Sequence, residues 1–128
     1  MKKRQTATSF SSQDLANLIV KGMQEKKAQD IVVLDLRKIN NVITDFFVIS
    51  SGNSDTQVDA IADSVEEEVY KTIQQNPWQK EGKMQREWIL LDYVDVVVHV
   101  FKKDRREYFD LEGLWGDANI TRVAEQLA

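Results

Sequence analysis

Four short apolar runs and two longer amphipathic segments alternate along this chain, and their order limits the fold class. The runs are residues 30–36, 46–50, 88–91 and 96–101, and the amphipathic segments are residues 11–27 and 58–73. Short runs of β-branched residues are typical of buried strands, whereas apolar residues spaced three and four apart are typical of helices. With a last short helix after Asn119, the order is α-β-β-α-β-β-α. It predicts an α+β fold, an α/β sandwich with a mixed sheet of about four to five strands and flanking helices.

Local signals predict where these elements begin and end. Ser11 or Ser12 is typical of a helix N-cap, and Asp14 follows Ser11 by three residues, as in a capping box. Pro77, the only proline, cannot continue the second helix. Residues 76–87 are polar and predict a surface loop.

Composition excludes several classes of site. The chain has 128 residues, which suits one domain. It has no cysteine and one histidine, which excludes disulfides, cysteine-based zinc sites, thiol nucleophiles and histidine-rich metal cages. No apolar run approaches the length of a membrane span, and the basic start lacks the apolar stretch of a signal peptide, so we expect a cytoplasmic protein. The formal net charge of −4 favours a basic protein over a nucleic acid as direct partner.

Carboxylates occur in two places where they could carry chemistry. The acidic residues of the second helix form a stripe, which is more typical of a solvated face than of a metal site. Asp92 and Asp95 flank the turn that joins the third and fourth runs into an antiparallel pair. Two carboxylates three apart do not share a strand face, and the chain contains no Asp-x-Asp pair. Two-metal chemistry is therefore not expected, and Asp92 and Asp95 suit acids that accept hydrogen bonds from turn amides.

The single histidine, His99, lies inside the fourth apolar run. Alternation places Val97, His99 and Phe101 on one face of that strand, and Val96, Val98 and Val100 on the other. No serine or cysteine nucleophile motif accompanies His99, so a hydrogen-bonded structural role is favoured over general-base catalysis.

Trp88 and Leu90 share one face of the third run. If no helix covers that face, the two side chains form an exposed apolar patch, and such patches mark interaction sites. Tryptophan is also enriched among residues that contribute most to binding. The sequence leaves two interpretations open for Trp88 and Leu90: packing in the protein core, or exposure in a binding interface.

Four stretches resemble the ribosomal silencing factor family, whose members are also called Iojap-like proteins. They are residues 31–36, 43–52, 88–101 and 105–115. The most specific part is the spacing W-x-x-x-D-x-x-D-x-x-x-H that starts at Trp88, followed by the ending Leu114-Trp115. The resemblance covers about residues 12–116.

The resemblance implies a fold similar to the nucleotidyltransferases without their catalytic carboxylates, and a protein that is not an enzyme and needs no cofactor or metal. Family members bind the fourteenth protein of the large ribosomal subunit, a basic protein, at the face that meets the small subunit. They block subunit joining and so repress translation, and homodimers occur among them. A nucleotidyltransferase-like enzyme and a large-subunit assembly factor are the alternatives. No membrane contact is expected, and direct nucleic-acid contact is at most minor.

By position, the resemblance implies that the family's contact strand falls on Trp88, Leu90 and Asp92, with Tyr93 and Asp95 in the adjoining turn. These five residues are the expected partner-binding site.

The sequence also divides the chain. We expect a flexible basic tail at residues 1–10, a ribosomal silencing factor domain at 11–116 and an extension at 117–128, where Asn119 can cap a short helix. The extension goes past the usual end of the family. Each end is open to three interpretations: disorder, a dimer element or an added ribosome contact. Before the extension, a short helical or irregular segment is expected to pack back on the core through Tyr108, Leu111, Leu114 and Trp115.

Overall fold

The structure is a computed structural model and describes residues 10–124, without the side chains of residues 108 and 109. Its elements are α1 (Ser12–Glu25), β1 (Gln29–Asp35), β2 (Phe46–Gly52), α2 (Asp55–Ile73), β3 (Gln79–Glu81), β4 (Trp88–Asp92), β5 (Val96–Lys102), α3 (Lys103–Phe109), α4 (Leu111–Leu114) and β6 (Asn119–Arg122). The predicted mixed sheet with flanking helices is confirmed. Two strands were not predicted: β3 lies in the expected surface loop, and β6 lies where a helix was expected.

The six strands form one mixed sheet in the order β3-β4-β5-β2-β1-β6. β2 and β5 at its centre run parallel, and every other neighbouring pair is antiparallel. The predicted hairpin is confirmed, because β4 pairs antiparallel with β5 and sets Trp88 opposite Phe101 and Leu90 opposite His99.

Helices α1 and α2 cover one face of the sheet and enclose the main core. α1 begins with the predicted capping box: Ser11 Oγ accepts from the Asp14 amide at 3.0 Å, and the Asp14 carboxylate accepts from the Ser11 amide at 3.1 Å. The two helices approach closely at Gly22, where a Cβ atom would lie 2.8 Å from Val65 Cα. Ser64 Oγ also donates to the Gly22 carbonyl at 2.8 Å, so close backbone packing and a side-chain hydrogen bond together hold the two helices at this point.

The opposite face of the sheet carries a smaller core, which the segment after β5 covers in part. Its buried residues are Val32, Leu34, Leu36, Ile49, Phe101 and Leu111, and Trp88 and Trp115 pack against them. Arg106 holds this segment in place, since it donates to Ser51 Oγ at 2.9 Å and pairs with Glu112 at 2.9 Å. The predicted packing of Leu111 and Trp115 on the core is confirmed. Leu114 instead is 72% exposed, and the Tyr108 side chain lies outside the described residues.

The expected helix after Asn119 is wrong, because residues 119–122 form β6 and pair antiparallel with β1. A very short helix forms few hydrogen bonds, and these do not offset the backbone entropy lost when it forms. The edge of β1, in contrast, presents a row of backbone N–H and C=O groups with which residues 119–122 can pair. All four residues of β6 are exposed, and the strand forms the outer edge of the sheet. The predicted basic tail, apart from Phe10, and residues 125–128 lie outside the described residues.

Candidate functional site

The sheet face opposite α1 and α2 is only partly covered along β4. Trp88, Leu90 and Asp92 alternate with the buried Ile89 and Leu91, and all three are partly exposed. The predicted common face of Trp88 and Leu90 is therefore confirmed, and neither side chain is fully buried. We call the exposed side of Trp88, Leu90 and Asp92 the β4 face.

Trp88 belongs to this surface and to the smaller core at once. Its indole Nε1–H donates to Nδ1 of His99 at 3.0 Å, and its ring stacks on Phe101 with the centroids 5.0 Å apart. Phe47 meets the His99 ring edge-on, with 4.7 Å between centroids. Trp88 is thus partly packed in the smaller core and partly exposed, whereas Leu90 makes none of these ring contacts.

His99 is a buried, neutral histidine. Burial lowers the pKa of His99 to about 3, so the ring is a very weak base at neutral pH. Because Nδ1 accepts a hydrogen bond, the ring proton lies on Nε2, which is buried and finds no partner among residues 10–124. The contact with Trp88 confirms the predicted hydrogen-bonded structural role.

Asp92 shapes the turn between β4 and β5. Its Oδ1 accepts from the Val94 amide at 2.7 Å, which confirms that Asp92 serves a turn amide. The Asp95 amide donates to the Tyr93 carbonyl at 3.0 Å, while the Asp95 side chain is exposed. Both carboxylates therefore lie at the end of the β4 face, one engaged with the backbone and one directed to solvent.

Tyr93 does not share this surface, which corrects its place in the expected contact set. Its side chain is 7% exposed and packs in the main core, on the helix-covered side. It continues the inward alternation of Ile89 and Leu91. Burial, with a smaller contribution from Glu66, raises the pKa of the Tyr93 hydroxyl above its usual value.

A shallow groove lies beside the same turn, and we call it the turn groove. It has a volume of about 420 Å³ and is lined by Val42, Ile43, Thr44, Trp78, Asp92, Val94 and Val97. Trp78 is 74% exposed, Ile43 92% and Val94 55%. Sequence reasoning missed this cluster. The one available signal was Trp78, a large aromatic residue in a stretch expected to be a polar surface loop.

The acidic stripe of α2 is ion-paired with the connection between β3 and β4. Lys83 Nζ lies 2.9 Å from Asp63 and 3.7 Å from Asp59, and Arg86 lies 3.2 Å from Asp59. The stripe thus fastens the β3–β4 hairpin to the helix. Across the part of the chain that the structure describes, no group of histidine, cysteine and acidic residues is arranged to hold a metal ion. None of the helices within residues 10–124 has the length and apolar composition to cross a bilayer.

Comparison with known proteins decides the family. A sequence model described as "Ribosomal silencing factor during starvation" matches residues 9–128. The chain belongs to the ribosomal silencing factor family. The match includes residues 117–128, so the extension falls inside the family region rather than beyond it.

Individual members of the ribosomal silencing factor family resemble the chain over most of its length. A ribosomal silencing factor from Halalkalibacterium halodurans is 46% identical over 112 residues, covering 85% of this chain and 92% of that protein. One from Bacillus subtilis is 40% identical over 111 residues, covering 87% and 92%. A crystal structure of a Chromobacterium violaceum protein has a TM-score of 0.77 at 30% identity and covers 92% of this chain and 94% of its own. The fold is that of the ribosomal silencing factors, and family membership gives the chain their general ribosomal role.

Proposed function

We propose that this protein binds a basic protein of the large ribosomal subunit, the fourteenth in the usual naming, and blocks the small subunit from joining. Family membership supports a ribosomal role. The observation that carries the proposal is the partly exposed β4 face, where Leu90 lies between Trp88 and Asp92. This is the strand to which the sequence resemblance assigns the partner contact.

The composition of the β4 face suits a basic partner. Leu90 and the exposed part of Trp88 supply apolar ground, while Asp92 and Asp95 supply negative charge at its end. Central apolar residues provide most of the binding free energy of an interface, and rim charges mainly set the association rate and its salt dependence. A factor that occupies the docking site of another subunit needs nothing more than such a contact.

We also propose that the protein works without catalysis, cofactor or metal. His99 is a very weak base, Asp92 already serves the turn, and Asp95 lies three residues further along the chain. Incubation with labelled nucleotides tests this proposal, and no incorporation is expected. Incorporation that disappears in Asp92→Ala or Asp95→Ala would contradict it.

Co-sedimentation with isolated large ribosomal subunits tests the binding surface. Leu90→Glu places a charge in the centre of the β4 face and removes neither atom of the Trp88–His99 hydrogen bond, so it should abolish binding in a protein that stays folded with a modestly lower melting temperature. Tyr70→Glu is the matched control, since Tyr70 is 51% exposed on α2, which covers the opposite face of the sheet. Folded Leu90→Glu protein that binds with wild-type affinity would rule out this surface.

A further inference from the structure

The turn between β4 and β5 contains a valine in a conformation that valine rarely adopts. Val94 has a φ of 75°, and the Asp95 amide donates to the Tyr93 carbonyl two residues earlier. The bond and the dihedral angle together define a γ-turn centred on Val94. Turns of this kind are rare and strained, and a β-branched residue at positive φ is an outlier.

The fold itself does not need the Val94 side chain. The Val94 side chain is 55% exposed. The hydrogen bond that holds Val94 in the turn is made by its backbone amide, which donates to the Asp92 carboxylate. Glycine would supply the same amide and adopt the same φ without strain. Strained residues persist only where neighbouring contacts hold them, as the bonds at Asp92 and Tyr93 do here, and they cluster at active sites and ligand clamps. The position of Val94 therefore points to something outside the monomer that contacts its side chain.

Val94 forms one wall of the turn groove, with Ile43 and Trp78 among the other apolar walls. Asp92 lines the same groove and also ends the β4 face, so the two surfaces are continuous. Asp95 lies next to Val94 and is exposed. Apolar walls with carboxylates at one side complement a protein segment that carries an aliphatic or aromatic side chain beside a lysine or arginine.

We propose that the turn groove is a second docking point for the ribosomal protein partner. A segment of that basic protein inserts an apolar side chain against Val94, Ile43 and Trp78, and places a cationic side chain near Asp95. This inference rests on the proposed function and deepens it, since it adds Val94, Ile43 and Trp78 to the contact, none of which is among the five residues assigned from the sequence.

Substitution of Val94 separates binding from folding. Val94→Gly removes the side chain and the strain together, so the melting temperature should stay the same or rise. The affinity for isolated large subunits should fall about tenfold, the contribution expected from burying one valine side chain. Val94→Asn should weaken binding similarly, because asparagine tolerates positive φ but is polar. Lys27→Gly is the control: Lys27 has a φ of 58° at the end of α1, and glycine there should leave the affinity unchanged.

The two proposals fail in different ways. If Leu90→Glu binds like the wild type, the proposed function fails. If Leu90→Glu loses binding while Val94→Gly and Val94→Asn keep wild-type affinity, only the turn groove inference is overturned.

A cross-linking experiment identifies the occupant of the groove. Photoreactive benzoylphenylalanine in place of Ile43, which is 92% exposed on the groove wall, is irradiated in the complex with large subunits. A cross-link to a ribosomal protein segment that contains lysine or arginine is expected. Cross-links only to ribosomal RNA, or only to a second copy of this chain, would overturn the inference.

Discussion

The indole of Trp88 donates a 3.0 Å hydrogen bond to Nδ1 of His99 across the β4–β5 hairpin. The two residues occupy diagonal positions, because Trp88 lies opposite Phe101 and His99 lies opposite Leu90. A partly exposed tryptophan is thus held by a fully buried histidine. This contact links the stability of the hairpin to the orientation of the largest side chain on the β4 face.

The buried His99 should make stability fall in mild acid. The pKa of His99 is lowered to about 3 in the fold, against about 6.5 in the unfolded chain. Below about pH 6.5 the unfolded chain therefore binds a proton that the folded protein does not bind. The stability that His99 contributes is complete above that pH and is lost as the pH falls toward 3, by about 2 kcal/mol at pH 5. Urea unfolding at pH 7.5 and pH 5 measures the loss, which should shrink in His99→Gln. An equal loss in both proteins would contradict the assignment.

Trp88 should affect stability as well as binding. Trp88→Phe keeps an aromatic ring against Phe101 but removes the donor to His99, so the free energy of unfolding should fall by about 1 kcal/mol. Trp88→Glu should be far more damaging. The substitution removes the hydrogen bond to His99 and the ring stacking on Phe101 together. Urea denaturation of the two variants beside Leu90→Glu checks the difference, and a fully stable Trp88→Glu would contradict it.

Whether a part of the candidate surface could be predicted from the sequence depends on how far apart in the chain its residues lie. The period of two in β4 is a local property, so the shared face of Trp88 and Leu90 could be predicted. The same alternation, carried one residue past Asp92, places Tyr93 on the buried side, whereas the sequence resemblance assigned Tyr93 to the contact set. The turn groove could not be predicted in this way, because it brings together residues from three separate parts of the chain and the local spacing of apolar residues does not show which parts meet.

The same reasoning explains the two strands that the sequence did not predict. β3 has three residues, all exposed and polar, and β6 has four exposed residues. Neither segment has the alternating apolar residues of a buried strand. Each becomes a strand mainly through hydrogen bonds to a neighbouring strand, β3 to β4 and β6 to β1. The long helix and the central strands were predictable because each buries a periodic set of apolar side chains.

The helix contact at Gly22 should tolerate no side chain. In Gly22→Ala the new Cβ would lie 2.8 Å from Val65 Cα, a backbone atom that cannot move aside alone. We expect a loss of about 1–3 kcal/mol in the free energy of unfolding, as for other overpacked cores. Gly116→Ala is the control, because its Cβ would meet its nearest neighbour at 3.6 Å. Thermal unfolding of both variants tests the prediction, and equal melting temperatures would contradict it.

Asp95 should influence binding through charge alone. Its side chain is exposed at the end of the β4 face, so Asp95→Asn should weaken large-subunit binding by about twofold to threefold at low salt. The difference should shrink at high salt, because mobile ions screen an exposed pair. Asp104→Asn, the same change of charge at an exposed residue of α3, is the control and should have a smaller effect. Binding titrations at two salt concentrations check this, and an effect that grows with salt would contradict it.

The central claim is that the β4 face holds the protein on the large subunit where the small subunit must dock. Sucrose-gradient sedimentation of large and small subunits mixed with the wild type or with Leu90→Glu tests it most directly. The account predicts that the wild-type protein migrates with the large subunit and reduces the peak of joined ribosomes, whereas folded Leu90→Glu stays at the top and leaves that peak unchanged. Equal amounts of joined ribosomes with and without the wild-type protein bound to large subunits would contradict it.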